Sequence, residues 1–401
     1  MYPTLYDMLK SLFGISIQPL AIVNTFGLLV ALSFMTAFAV MTLELKRLEK
    51  EGKAKALTVS KTFEATIDWF DFIFNFGLGF LFGWKIIFMV MNFDLVRENS
   101  QALIFSGQGN IYAGIGVGLF FVFQKYLEYR KTKQLYPEKV VKDILVHPFE
   151  NMGLLTMAAF VAGILGAKFF HILEDWQNFI QDPIDAIFSL SGLTYYGGLI
   201  CGGLAVIYFA NKKGIKPLNM LDAGAAGMML AYGLGRMGCH LSGDGDWGIN
   251  NTAAAPSWIP DFLWASKYPH NVLNENFGNT IPGCIGQYCN ELAIPVFPTP
   301  LYETIMCSLL FGVLWFLRKR VSIPGVLFGI YMIMNGAERF LIEKIRVNSL
   351  YEIAGFKFTQ AEMISSIIAL LGVTLIIYSI RIHRKNLATS SQVILNAKIK
   401  E

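Results

Sequence analysis

Along this chain apolar residues gather into stretches of about 18 to 25 residues, long enough to cross a hydrocarbon layer as helices, and polar residues gather into the gaps. The pattern predicts about nine spans, near residues 20–43, 70–93, 103–123, 152–173, 186–210, 220–241, 300–317, 323–342 and 361–382. Ahead of the first, residues 1–19 mix Tyr2, Tyr6, Leu9, Leu12, Phe13 and Ile15 with Asp7 and Lys10, which suits a short amphipathic helix in the interface. Residues 242–299 are polar, rich in Asn, Pro and Gly, and too many for a tight connection, so they read as a small extracytoplasmic head. The expected fold is all-α: one polytopic membrane helical bundle over residues 1–401, with a helical pair and its basic loop at 62–145.

Charge gives the bundle a direction. Lysine and arginine crowd the gap after the first span (Lys46, Arg47, Lys50, Lys53, Lys55, Lys61) and the gap after the third (Lys125, Arg130, Lys131, Lys133, Lys139, Lys142). They return at Lys212, Lys213 and Lys216, at Arg318, Lys319 and Arg320, and at Arg381, Arg384 and Lys385 beside His383. The gap after the fourth span is acidic, with Glu174, Asp175, Asp182 and Asp185. Basic loops stay on the cytoplasmic side, which places the N-terminus outside and the C-terminus inside. With 54% hydrophobic and 15% charged residues and a net charge of only +4, the basic residues mark sidedness, and nucleic acid is excluded as a partner. The first twenty residues show no cleavable signal pattern, so targeting is expected to fall to the first span. FGWKIIF at 82–88 and LGAKFFH at 165–171 share glycine, any residue, lysine and two apolar residues; chance and a duplicated helical pair are both open.

Polar side chains inside or beside apolar spans must be satisfied or functional. Here they include Lys168, Tyr195 and Tyr196, Arg236, Cys239, His240, Asp244, Glu303, Arg339, Glu343 and Arg346. Arg236 sits in GLGRMGCHLSGDGDWG at 233–248, near the end of a span. A guanidinium at such a border costs about 2.5 to 3.5 kcal/mol unless an anion offsets it. The usual anion is a lipid phosphate, which arginine binds bidentately, and the surrounding glycines let a ligand or another helix approach closely. Arg339 and Glu343 share a helix face, so they serve either as an internal pair or, for Arg339, as a second phosphate ligand. Tyr196 before Gly197 and Gly198 is either a core ring or a hydroxyl projecting beside open backbone. Cys284 and Cys289 lie in the head, where a disulfide can persist; Cys201 and Cys307 lie within spans as small apolar residues, and no Cys and His spacing fits a zinc site.

In order, these blocks resemble the bacterial prolipoprotein diacylglyceryl transferase family. GILGAKFF at 163–170 is similar to that family's Gly-Ala-Arg helix, and SGLTYYGGLICG at 191–202 to its His-Gly-Gly block. GRMGCHLSGDGDWG at 235–248 is similar to its signature Gly-Arg-x-Gly-Asn-Phe-x-Asn-Gly-Glu. PTPLYE at 298–303 and the helix with Arg339, Phe340, Glu343 and Arg346 resemble its last two blocks, and TFGLLVALSF at 25–34 its first helix. The pair near 62–145 is an insertion that the usual seven-span family lacks.

The resemblance implies a multi-pass protein of the bacterial inner membrane. It would transfer the diacylglyceryl group of phosphatidylglycerol to the lipobox cysteine thiol of a preprolipoprotein signal peptide, releasing glycerol phosphate without metal or cofactor. Phosphatidylglycerol would rest on Arg236, Arg339, Gly197, Gly198, Cys239, Gly248 and Phe26, with Tyr196, His240, Asp244, Arg339 and Glu343 carrying the chemistry. Three family polar positions are occupied by Phe26, Tyr196 and Cys239, and the signature glutamate by Asp244. A phenol, with a reference pKa near 10, is a poor base at neutral pH, so His240 or Asp244 is an alternative. The departures leave two other readings open, a non-catalytic phospholipid-binding accessory protein and a lipid transferase with another acceptor.

Overall fold

The computed structural model describes residues 1–64, 68–92, 95–96, 103, 106–188, 194–273, 278–284, 288–353 and 356–400. Helices dominate. In chain order they are α1 (Leu5–Phe13), α2 (Thr25–Lys50), α3 (Trp69–Met91), α4 (Ile111–Leu135), α5 (Met152–Glu174), α6 (Trp176–Gln181) and α7 (Pro183–Phe188). After them come α8 (Tyr195–Lys212), α9 (Pro217–Ser242), α10 (Asp261–Trp264), α11 (Thr299–Leu317), α12 (Val326–Glu343) and α13 (Gln360–Lys400). Among the described residues, α2, α3, α5, α11 and α13 are the five long and apolar enough to cross a membrane. The helices α4, α8, α9 and α12, each of 18 residues or more, coincide with the other expected spans. Amphipathic α1 forms as expected, closed by a capping box between Thr4 and Asp7.

The all-α expectation needs correcting, because three two-stranded antiparallel ribbons accompany the helices: β1 (Leu57–Phe63) with β2 (Val140–Val146), β3 (Asn279–Thr280) with β4 (Asn290–Glu291), and β5 (Leu350–Ile353) with β6 (Phe356–Thr359). The first joins the two ends of the 62–145 segment, so α3 and α4 form a hairpin on a β stem. That hairpin touches the N-terminal segment where Ile22 packs beside Met89.

Two spans also begin later than expected. The third starts at Ile111; ahead of it Leu103 is helical, and the carbonyls of Leu103, Ser106 and Gln108 accept from the Lys85 ammonium, at 3.1 Å for Leu103 and 2.8 Å for Gln108. Asn110 then caps α4 by accepting from Ala113 N at 3.0 Å. The fifth starts at Tyr195, after α7; residues 189–193, which the expected span included, lie outside the described residues, as do Arg97 and Glu98 of the second link.

Packing follows the small residues. α5 crosses α8 where Gly166 faces Gly197, so closely that a Cβ on Gly166 would stand 2.4 Å from the Cβ of Cys201 and 2.6 Å from the Gly197 carbonyl oxygen. α2 packs along α9, α9 along α11, and α12 along α13. One apolar core joins Leu45, Met152, Leu155, Ile215 and Met220; a second joins Val40, Met229, Cys307, Leu314 and Leu327. Two buried carboxylates are met within the protein. Glu44 receives Arg47 at 2.8 Å and also pairs with Arg318, and Asp222 of α9 accepts from Gly325 N at 2.7 Å and Phe328 N at 2.9 Å, capping α12 from outside.

Gly166→Val forces the α5–α8 crossing apart and is expected to cost about 1 to 3 kcal/mol. The check is a lower thermal midpoint of the detergent-solubilised protein, with Gly203→Ala, where nothing lies within 4 Å, leaving the midpoint unchanged.

Candidate functional site

The site is built where α9 ends. Gly243, with φ 67°, closes the helix by donating to Cys239 O at 3.0 Å, and Gly245, with φ 99°, turns the chain again. These two left-handed residues fold the chain back over the helix end and return Asp246 to Arg236. Gly248 then pairs with Arg346 as a β-bridge, so close that a Cβ there would stand 2.4 Å from Ile345 O. Thr299, at the start of α11, donates its hydroxyl to Asp246 O at 3.0 Å.

The result is a four-membered ion-pair network drawn from distant parts of the chain. Arg236 pairs with Asp246 and donates Nη2 to Glu303 Oε1 at 2.9 Å. Arg346 donates Nη2 to Asp246 Oδ1 at 2.7 Å and Nη1 to Glu303 Oε1 at 3.1 Å. One helical turn before Arg236, Tyr232 donates its hydroxyl to Glu303 Oε2 at 2.8 Å. Glu303 is fully buried (0% exposed), whereas the Asp246 side chain keeps 36% of its exposure and forms the wet edge of the network. Burial works against the Asp246 carboxylate, but Arg236 and Arg346 outweigh it and hold its pKa below the ordinary 3.8. The sequence reading supplied a lipid phosphate as the anion for Arg236; in the fold, two carboxylates of the protein already stand there.

Around this network the expected residues fall into groups. The Cys239 thiol accepts from Arg236 Nη1 at 3.7 Å, and the ligand atoms of Cys239, Asp244 and Asp246 lie within 4.8 Å of one another, with the Arg236 guanidinium as the nearby cation. Asp244 accepts from Asp246 N at 3.3 Å. His240 holds the Tyr268 hydroxyl on Nδ1 at 3.2 Å. Tyr268 is buried against Trp247, Leu292 and Val296 in the head core, and burial together with Asp244 pushes its phenol up, so it remains a neutral hydrogen-bonding group. Phe26, at the start of α2, lies against α9 at Gly238. Tyr196, Gly197 and Gly198 sit at the α5–α8 crossing, with both glycines used in packing. Arg339 pairs with Glu343 at 3.0 Å, and Asn348 also binds Glu343. In the head, Cys284 and Cys289 form a disulfide.

Sequence reasoning placed Asp246 and Tyr232 in no role and named Glu303 and Arg346 without joining them to Arg236. The usable signal was charge balance, since each cation at a span border needs an anion, and Asp246 and Glu303 are the acids in the same two blocks. Glu338 also went unmarked; it is 3% exposed, and neither carboxyl oxygen has a hydrogen-bond partner.

Fold and site together define a mostly helical membrane protein in which arginine–carboxylate pairs join the end of α9 to the start of α11 and the segment after α12. Residues 132–378 match the family model described as prolipoprotein diacylglyceryl transferase. The chain belongs to that family. It is 32% identical over 202 residues to a phosphatidylglycerol-prolipoprotein diacylglyceryl transferase of Enterococcus faecalis, covering 50% of this chain and 65% of that protein. Proteins of the same description from Streptococcus agalactiae and Corynebacterium glutamicum are 28% and 32% identical, over 55% and 50% of this chain and 77% and 61% of their own lengths. The chain thus spans less than two thirds of the Enterococcus and Corynebacterium relatives.

Two outcomes are expected. Glu303→Gln leaves Arg236 and Arg346 short of a buried partner and lowers stability by about 3 to 5 kcal/mol, measured as a fall in thermal midpoint, while Glu352→Gln on the surface has no effect. Because the folded pKa of Asp246 is depressed, its contribution is fully present above pH 3.8 and is lost as pH falls through the lower folded value. Hydrogen exchange at Trp247 and Gly248 should therefore accelerate in that acid range, and less so in Asp246→Asn.

Proposed function

We propose that this protein transfers the diacylglyceryl group of phosphatidylglycerol to the cysteine thiol of a preprolipoprotein in the bacterial inner membrane. In this reading the bundle crosses about nine times, with the N-terminus outside and the C-terminus inside; the nine helices of 18 residues or more among the described residues and the basic loops support it. The observation that carries the function is that the Arg236 network lies wholly inside the region matching the family.

The chemistry asks for few groups. The thiol sulfur attacks the glycerol carbon bonded to the phosphate oxygen; a C–S bond forms as that C–O bond breaks, and the phosphate leaves with the electron pair as glycerol phosphate. Preorganised cations lower the cost of that leaving charge. Arg236 suits the task because Asp246, the half-exposed partner, is the one a phosphate can replace, while buried Glu303 keeps the guanidinium oriented. Arg339, at 25% side-chain exposure and held by Glu343, is the second candidate phosphate ligand. For the thiol proton we favour His240 in the tautomer whose Nδ1–H donates to the Tyr268 hydroxyl oxygen, which leaves the Nε2 lone pair to accept it. Asp244 beside Cys239, and Tyr196, are the other acceptors.

The test is incubation of the purified protein with phosphatidylglycerol and a lipobox peptide, following glycerol phosphate and peptide mass. Both are expected to rise together. Glycerol phosphate alone identifies a different acceptor, and lipid binding with neither product supports the accessory, non-catalytic reading.

A further inference from the structure

Lysines gather on the ribbon that closes the α3–α4 hairpin. The register puts Leu57 opposite Val146, Val59 opposite Ile144, Lys61 opposite Lys142 and Phe63 opposite Val140. Opposed residues share a face and alternate residues return to it, so these eight side chains form one apolar face with two ammonium groups at its centre. On the other face Asp143 is satisfied by the Ser60 hydroxyl at 2.5 Å. No carboxylate pairs with Lys61 or Lys142 among the described residues, and like charges directly opposite one another destabilise a ribbon.

The two lysines are nevertheless held in place. Lys61 lies over the Phe63 ring at 5.5 Å and Lys142 over the Tyr136 ring at 4.9 Å, and those two rings stack at 4.9 Å. Beside them is a cavity of about 310 Å³, lined by Leu57, Val59, Ile144 and Val146 of this face, by Ser60 and Thr62 of β1, and by Lys61, Asn151 and Lys213; Lys142 stands opposite Lys61 in the ribbon, outside that lining. Lys213 is half-buried and, among the described residues, has no carboxylate partner either. The cavity thus combines an aliphatic wall with unpaired ammonium groups, next to the start of α5 and the end of α8, both helices of the bundle.

We propose that this cavity binds the phosphate of an anionic phospholipid from the leaflet on the basic-loop side, with its glycerol and first acyl methylenes against Leu57, Val59, Ile144 and Val146. Charge selects the occupant. A neutral amphiphile leaves the lining ammonium groups of Lys61 and Lys213 uncompensated, whereas a phosphate in the cavity gives them charge-assisted contacts and offsets the repulsion between Lys61 and Lys142 beside it. The site is separate from the Arg236 network: α2, 26 residues long, places about 40 Å between its two ends, with Phe26 at one and the ribbon beyond the other. It does not depend on the proposed transfer reaction.

The experiment is native mass spectrometry of the delipidated full chain titrated with phosphatidic acid, run beside thermal unfolding in detergent. Wild type is compared with the triple variants Lys61→Gln/Lys142→Gln/Lys213→Gln and Lys61→Arg/Lys142→Arg/Lys213→Arg. The glutamine variant is expected to bind at least about tenfold more weakly, as three lysines near a phosphate imply, and the arginine variant to bind like wild type. Without lipid the glutamine variant should unfold no earlier than wild type, because a repulsion has been removed; with phosphatidic acid wild type should gain the larger upward shift. Equal binding by wild type and the glutamine variant overturns the proposal. So does equal binding of phosphatidylcholine, and so does displacement of the lipid by millimolar inorganic phosphate, which would assign the site to a free anion.

Discussion

Arginine cannot shed its charge, so a guanidinium at the rim of an apolar layer has to be neutralised where it stands. That constraint organises this molecule at its head end. Arg236 and Arg346 share Asp246 and Glu303, and the four groups tie the end of α9, the start of α11 and the segment after α12 into one junction. The turn through Gly243 and Gly245, the close approach at Gly248 and the Thr299 hydroxyl all serve to deliver Asp246 to that junction. At the opposite end Glu44, Arg47 and Arg318 repeat the solution with one carboxylate and two cations. Helix packing sets the distances, and charge balance decides which helix ends meet.

The network is graded rather than uniform. Glu303 and Tyr232 form its dry side and Asp246 its wet one, so an incoming anion meets a carboxylate that can yield before it meets one that cannot. Binding and stability are coupled there through the same two arginines.

Much of the bundle was legible in the sequence because the length and sidedness of apolar runs are direct consequences of membrane physics. Among the described residues α2, α3, α5, α11 and α13 are long and apolar enough to cross a membrane, while α4 and α8 begin later than the apolar runs suggested. What escaped was whatever depended on a distant partner. The strand LTVSKTF read as part of a basic loop because Lys61 and the lysines before the strand outweighed its alternation, and its partner lies beyond two helices. The late start of α4 goes with a contact to a distant residue, Lys85, whose ammonium collects the carbonyls of Leu103, Ser106 and Gln108 ahead of the helix. At the site, Arg236 was conspicuous as an unpaired cation in one segment, but its acids were ten and sixty-seven residues away and became partners only on folding. Conversely, Tyr196, Gly197 and Gly198 stood out by motif, and the fold employs both glycines in helix packing.

The ribbon of β1 and β2 carries a topological consequence. Two strands can exchange hydrogen bonds only if both lie on the same side of the bilayer, so the polypeptide between Phe63 and Val140 must traverse it an even number of times. Closing the ribbon therefore acts as a parity check on insertion: a chain in which α3 or α4 failed to cross would leave β1 and β2 in different compartments, each with a bare edge. The pairing is thus lost whenever one of the two helices crosses without the other, and a protease or chaperone that reads an open β1 edge would be reading that threading error.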